Sequence, residues 1–186
     1  MTNANAASEA ISPAGQTRVW DPLIRIFHWS LVIAFTANAL FVEGDSKIHV
    51  WIGYFVAGAV AFRIVWGFIG TKYARFSSFP PNLKGASEQV MEIASNRKRL
   101  HMGHTPLGAL MIYNLLLTLI VIAASGYLMT TDAYWGVRWM EELHEAAVFW
   151  AEFSVALHIA AVIFESLRLK VNLPKAMVTG VKEFRN

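Results

Sequence analysis

The sequence predicts an all-α fold, an integral membrane four-helix bundle with both termini in the cytoplasm. Hydrophobic residues make up 55% of the 186 residues and charged residues only 16%, whereas an ordinary soluble domain carries roughly 25% charged residues. The apolar residues are also gathered in four blocks of about 20 residues, the length that a membrane-spanning helix needs. This composition excludes a disordered protein, a nucleic-acid-binding domain and an ordinary cytosolic enzyme.

The four apolar blocks predict membrane spans at about residues 22–42, 48–69, 106–129 and 140–167. Start signals support two of them, because Asp21 and Thr105 each place a capping side chain directly before a proline at the first helical position. The loops after the first and third spans are short, whereas the second and third spans are joined by the longer segment 70–104.

The basic residues predict the orientation of the bundle. Of the 16 Lys and Arg residues, only Lys47 and Arg138 fall in the loops after the first and third spans. The others lie at or near the opposite ends of the spans, and an excess of positive charge marks the cytoplasmic side of a membrane protein. Both termini are therefore expected in the cytoplasm.

The segments outside the spans complete one domain, residues 17–186, preceded by a tail. Residues 1–16 are mostly small and polar without a basic cluster, which predicts a disordered tail rather than a signal peptide. Residues 84–98 combine helical spacing of apolar residues with a basic end. They predict a helix on the cytoplasmic membrane surface.

Histidine is the residue type that carries the predicted chemistry. The chain has no cysteine and six histidines, so disulfides, iron–sulfur clusters, thiolate metal sites and covalently attached haem are excluded. Four of the histidines lie within or at the start of predicted spans, where an ionisable side chain is costly to bury and is a candidate for function. They are His28, His49, His144 and His158.

The depths of these histidines in the membrane predict two pairs. His144 and His158 are 14 residues apart, which places them on one helix face and separates them by about 21 Å along the axis. The second span begins at the outer side, so His49 is level with His144. The first span begins at the inner side, so His28 lies near the depth of His158.

Two imidazoles that face each other across a gap between helices suit a flat cofactor with two axial positions, namely b-type haem held without covalent links. Zinc would require more ligands in a tetrahedral arrangement, and the sequence offers no obvious third group. The four histidines are therefore the candidate cofactor and metal ligands, and no catalytic residue is assigned.

Two further residues are candidates for contact with the cofactor. Gly53 lies one turn after His49 and could make room for a porphyrin, although tight packing of helices would explain a small residue there equally well. Arg63 lies 14 residues after His49 on the same helix face. It could pair with a propionate of the inner haem, or it could be an ordinary cytoplasmic-side charge.

Several motifs in order resemble the prokaryotic di-haem cytochrome b family, which includes bacterial cytochrome b561 and the membrane subunits of nickel–iron hydrogenases. The resemblance covers about residues 17–183. The motifs are 20–22 (WDP), 27–29 (FHW), 48–54 (IHVWIGY), 104–110 (HTPLGAL), 142–145 (ELHE), 156–159 (ALHI), 172–173 (NL) and 176–180 (AMVTG).

The resemblance implies two b haems in a multi-pass protein of the bacterial inner membrane, and electron exchange with membrane quinone. Its ligand pairs would be His49 with His144 for the outer haem and His28 with His158 for the inner haem, in agreement with the depth argument. The leading hypothesis is therefore electron transfer between the quinone pool and a periplasmic redox protein, such as a cytochrome c or a dehydrogenase or hydrogenase subunit.

The outer loops favour a basic periplasmic partner. Six acidic residues face only two basic ones there, and opposite charge speeds the encounter of redox proteins. The acids are Glu43, Asp45, Asp132, Glu141, Glu142 and Glu145.

Two alternative functions stay open. The first is implied by the resemblance, since some members of the family oxidise superoxide with quinone as the electron acceptor; the acidic outer loops disfavour it because the substrate is an anion. The second is a non-redox membrane module for assembly. The sequence also leaves open a homo-oligomer or a larger complex.

Overall fold

The fold is described by a computed structural model for residues 16–97 and 103–183, and this part of the chain is helical apart from one short β-ribbon. The elements follow in chain order: β1 Gln16–Arg18, α1 Pro22–Leu40, α2 Lys47–Ile69, a 3₁₀ turn Phe76–Ser78, α3 Leu83–Ala94, α4 Pro106–Met129, α5 Arg138–Leu169, α6 Leu173–Thr179 and β2 Val181–Glu183.

The helices α1, α2, α4 and α5 are each long and apolar enough to cross a membrane, which confirms the all-α membrane bundle and its four predicted spans. Helix α1 ends at Leu40, two residues earlier than expected, and α5 extends from Arg138 to Leu169, two residues further at each end. The predicted surface helix corresponds to α3, which ends at Ala94. Residue 98, its expected end, lies outside the described residues.

The two ends of the described chain meet in a β-ribbon that the sequence did not predict. β1 and β2 are antiparallel, with Gln16 opposite Glu183 and Arg18 opposite Val181. Gln16 therefore belongs to a strand, and the rest of the predicted tail, residues 1–15, lies outside the described residues. We call the end of the bundle that carries this ribbon the terminus end, and the opposite end, with the short connections after α1 and α4, the loop end.

Helix starts are fixed by capping side chains. Asp21 accepts a hydrogen bond from the Ile24 amide at 2.9 Å, and Thr105 accepts one from the Gly108 amide at 3.1 Å. Ser46 accepts one from the amide of His49 at 3.1 Å. Each cap satisfies a backbone donor that the helix leaves without a partner, and the Ser46 cap determines where His49 lies in the first turn of α2.

The apolar core joins three of the long helices. Val56 and Val60 of α2 pack on Leu119 of α4, and Leu31 and Phe35 of α1 cover this cluster. Helix α5 is outside the cluster and is held to α4 instead. In the part of the chain that the structure describes, α5 makes no comparable approach to α1 or α2.

Polar side chains attach α5 to α4 inside the apolar region. The Asn114 amide group donates to the Ser154 hydroxyl at 2.9 Å, and the Trp150 indole N–H donates to the Asn114 carbonyl oxygen at 3.0 Å. Because water cannot compete there, such bonds hold two helices together where hydrophobic burial gives no advantage over lipid. One edge of the bundle is thus firmly joined, and the α5 edge beside α1 and α2 is open.

Asp21 ties the start of α1 to the end of α2. Besides capping α1, it accepts hydrogen bonds from the Thr71 hydroxyl at 2.6 Å and from the Trp66 indole N–H at 3.3 Å. Burial raises the pKa of Asp21, but the bonds from Thr71, Ile24 and Trp66 outweigh burial, and the net pKa is below its ordinary value of 3.8.

Replacing Asp21 by alanine should lower the free energy of unfolding by about 1–2 kcal/mol, because the cap and both cross-links are lost. The depressed pKa means that the carboxylate stabilises the fold at pH values above its ordinary pKa, and that this contribution is lost as the pH falls through the lower folded value. Thermal unfolding in detergent, as a function of pH, measures both effects.

Asn82→Ala is the matched control, because Asn82 caps α3 through the Gly85 amide at 2.8 Å and the structure gives it no bond between helices. It should cost less than Asp21→Ala and leave the acid limb of the profile unchanged. An Asp21→Ala protein as stable as the wild type would contradict the assignment.

Candidate functional site

His49 and His144 face each other near the loop end. His49 lies in the first turn of α2 and His144 in the second turn of α5, and their ring centroids are 6.3 Å apart with the rings inclined at 64°. Both side chains are half-buried. The helices that carry them do not pack closely, so the two rings reach toward each other across a gap.

The spacing of these rings suits one metal ion bonded from both sides. Metal–imidazole bonds are about 2 Å long. Because each ring centre lies beyond the ligating nitrogen, two imidazoles on opposite sides of one ion have ring centres roughly 6 Å apart. The residues that the structure describes include no group of three or more His, Asp or Glu side chains that could hold a metal. The geometry therefore fits an ion whose remaining ligands come from a cofactor.

The ring of His144 packs against α4 at Ser125 and Gly126. Its Nδ1 lies 2.9 Å from the hydroxyl of Ser125, a residue that is only 2% exposed. The next residue, Gly126, has no side chain, and a Cβ built there would lie 3.1 Å from Cε1 of the His144 ring. Sequence reasoning missed both residues, since α4 is mostly apolar; the adjacent serine and glycine in an apolar span were the available signal.

His28 and His158, the second predicted pair, lie on α1 and α5. Both are half-buried, and they are close enough to interact electrostatically. Nδ1 of His28 is buried without a hydrogen-bond partner, as is Nδ1 of His49. The indole of Trp29 packs edge-on against His28 at 5.2 Å, and its N–H reaches the Met177 carbonyl oxygen at 3.4 Å, which connects this pair to α6.

Gly53 borders open space. No atom lies within 4 Å of a Cβ built on it, whereas a Cβ on Gly67 of the same helix would be 2.1 Å from the Phe76 ring. Close packing of helices explains the small residue at Gly67 but not at Gly53. The position next to Gly53, one turn after His49, is therefore free of contacts with other side chains among the described residues.

Arg63 is buried at the terminus end, with 4% of its surface exposed. Its guanidinium lies over the ring of Phe76 at 4.8 Å and near that of Phe79 at 6.0 Å, and Asp21 and Tyr113 act on it electrostatically. One of its nitrogens, Nη1, is buried without a hydrogen-bond partner. A buried donor of this kind has the chemistry to bind a carboxylate.

His104 belongs to an aromatic and basic cluster that the sequence did not reveal. Its ring packs on Phe79 at 4.2 Å and on Trp20 at 4.6 Å, and Lys182 donates to the neighbouring Gly103 carbonyl at 2.8 Å. Burial, with Lys182 and Arg63 nearby, lowers the pKa of His104 to about 3. His104 thus packs between aromatic rings as a neutral group, while His101 lies outside the described residues.

A family model described as prokaryotic cytochrome b561 matches residues 19–180. No curated protein and no solved structure shows a significant match to the chain. The matched region includes all four long helices and all four candidate histidines. The family match and the four spans make the protein a multi-pass bacterial membrane protein.

Replacing His104 by phenylalanine should flatten the dependence of stability on pH between about pH 7 and about pH 5. In this range the unfolded chain protonates His104, whose ordinary pKa is 6.5, while the folded chain with a pKa of about 3 does not. The wild type therefore loses stability as the pH falls, by roughly 1–2 kcal/mol at this one site. Phenylalanine keeps the ring contacts and removes the proton.

The measurement is the unfolding midpoint of the wild type and of His104→Phe in detergent, at several pH values across this range. The difference between the two curves isolates His104 from the other histidines. Superimposable curves would contradict the assignment, because they would show that folding does not lower the pKa of His104.

Proposed function

The chain belongs to the prokaryotic cytochrome b561 family, and we propose that it transfers electrons through two b-type haems, an outer one between His49 and His144 and an inner one between His28 and His158. Family membership implies b-type haem and transmembrane electron transfer. The number of haems, their ligands and the redox partners are our inference from the residues.

The observation that carries the proposal is the opposition of His49 and His144 at 6.3 Å. This spacing fits bis-histidine ligation, and the helices on either side leave a gap. Gly53 adds open space one turn from His49. When bound, the haem supplies the one-electron chemistry, and the protein supplies orientation, axial ligation and local polarity.

The inner pair is supported by the same open edge of the bundle. His28 and His158 project from α1 and α5, which do not pack closely, and the buried Nδ1 of His28 has no partner. Arg63 at the terminus end would hold a propionate of the inner haem, since its buried Nη1 lacks an acceptor and a carboxylate supplies one.

Replacing His144 or His158 by alanine should remove one low-spin haem and leave part of the other. Each histidine would hold one haem only, so the loss should be confined to that site. A redox titration followed by absorption spectra, beside the wild type, measures how many haems stay and at which potentials. His104→Ala, which removes a histidine outside both pairs, is the control and should retain both haems.

A colourless wild-type protein from haem-replete cells would contradict the proposal and favour a non-redox membrane module. Loss of both haems in His104→Ala but not in His144→Ala would contradict the ligand assignment.

We further propose membrane quinone as one redox partner and a basic periplasmic protein, such as a cytochrome c or a dehydrogenase subunit, as the other. The second part is supported by the loop end, where all six acidic side chains are exposed. Only Glu142 among them has an ion pair in the described structure, with Arg138 at 2.8 Å. The surface near His49 and His144 is therefore negative, and it attracts a positively charged partner.

Neutralising Glu141 and Glu145 together as glutamines should slow electron transfer to a cationic cytochrome c at low salt by about tenfold and flatten its dependence on ionic strength. Stopped-flow rates at several salt concentrations measure this. Glu142→Gln is the matched control with a smaller expected effect, because Arg138 already offsets that charge. A salt dependence equal to that of the wild type would eliminate the basic partner.

Superoxide oxidation is the alternative activity at the outer haem. The exposed acids at the loop end disfavour it, since they repel an anionic substrate. Rapid mixing of the oxidised protein with superoxide would distinguish the two: fast haem reduction that becomes faster in Glu141→Gln/Glu145→Gln would favour the alternative.

A further inference from the structure

The Ser125 hydroxyl is a hydrogen-bond partner that sets His144 apart from two of the other candidate ligands. Ser125 Oγ and His144 Nδ1 are 2.9 Å apart, whereas Nδ1 of His28 and Nδ1 of His49 are buried without a partner. The outer pair is therefore unequal: one ring is fixed from behind and the opposing ring is not.

The direction of this bond follows from the single proton of the serine. Ser125 Oγ also lies 2.7 Å from the Val121 carbonyl oxygen and 3.2 Å from that of Ile122. A carbonyl oxygen only accepts, so the hydroxyl proton is directed to the α4 backbone. The proton between Ser125 and His144 must then come from Nδ1–H of the imidazole, which leaves the lone pair on Nε2.

The space behind the ring is filled by α4, whose Ile122 carbonyl oxygen is a second hydrogen-bond partner of His144. Ser125 is 2% exposed, so water does not compete for the bond. A Cβ on Gly126 would be 3.1 Å from Cε1 and 3.5 Å from Nδ1 of His144. The ring therefore lies directly against the α4 backbone, at a position where glycine leaves the helix without a side chain.

We infer that Ser125 is a positioning residue for His144: it accepts the Nδ1 proton, directs Nε2 toward His49, and makes His144 the fixed axial ligand of the outer site while His49 is the more weakly held one. The inference rests on the proposed haem ligation. A hydrogen bond from the far nitrogen fixes the orientation of a metal-bound imidazole and increases its electron donation to the metal.

Ser125→Ala tests this, with Ser154→Ala as the matched control. Both serines are 2% exposed in a membrane helix, and Ser154 bonds Asn114 across the α4–α5 interface instead of a candidate ligand. Redox titration with spectra, and electron paramagnetic resonance of the oxidised protein, are recorded for both variants and the wild type. His144→Ala identifies which signal belongs to the outer haem.

In Ser125→Ala the outer haem should shift to a higher midpoint potential, because a less electron-donating imidazole favours the oxidised iron less. Its low-spin resonance should shift too, and its retention in detergent should fall roughly tenfold or more. The inner haem should be unchanged, which also shows that the variant is folded. Ser154→Ala should leave both haems as in the wild type.

The inference would be overturned if the midpoint potentials and low-spin resonances of Ser125→Ala were the same as those of Ser154→Ala. It would also be overturned if both haems of Ser125→Ala shifted equally. These results leave the proposed function intact, because two haems would still be present. A wild-type protein without haem would instead overturn the proposed function itself.

Discussion

The gap between α5 and the α1–α2 pair is the constraint on which the site depends. A histidine in a membrane helix needs a partner, and helices packed at ordinary distances would leave no room for one between two rings. Here α4 resolves the conflict, because it shares an apolar cluster with α2 on one side and polar bonds with α5 on the other. Helix α5 is thus held at a distance from α1 and α2 without touching them closely.

The helix caps set the level along the bundle at which each histidine faces the gap. Side chains on facing helices meet only if each helix starts at the correct level, and the level of a helix is set where its first turn is capped. Ser46 fixes the start of α2 next to His49. Asp21 fixes the start of α1 seven residues before His28, which lies in the second turn of that helix. Asp21 also ties α1 to the end of α2, so a displacement of one helix is opposed by the other.

The two ends of the bundle differ in electrostatic character, and the difference suits electron transfer between unlike partners. The loop end exposes six acids beside the His49–His144 pair, mostly without ion pairs among the described residues. The terminus end instead buries cations: Arg63 and Lys182 are 4% and 5% exposed and lie over aromatic rings. The loop end thus presents an exposed charged surface, whereas the terminus end holds its cations Arg63 and Lys182 in buried positions.

Periodicity and hydropathy in the sequence were sufficient for the helical bundle and its four spans, and they predict the level of each histidine, because all of these depend on distances along one helix. The 14-residue interval from His144 to His158 and the order of the spans do not need coordinates. Which rings meet, and what lies behind them, depends on contacts between distant segments. Three features were decided only by the packing of distant segments: Ser125 and Gly126 behind His144, the unpartnered nitrogen of Arg63, and the ribbon that joins residues 16–18 to 181–183. The local sequence of an apolar span does not show which neighbour a side chain will face, because apolar residues are compatible with both lipid and protein surroundings.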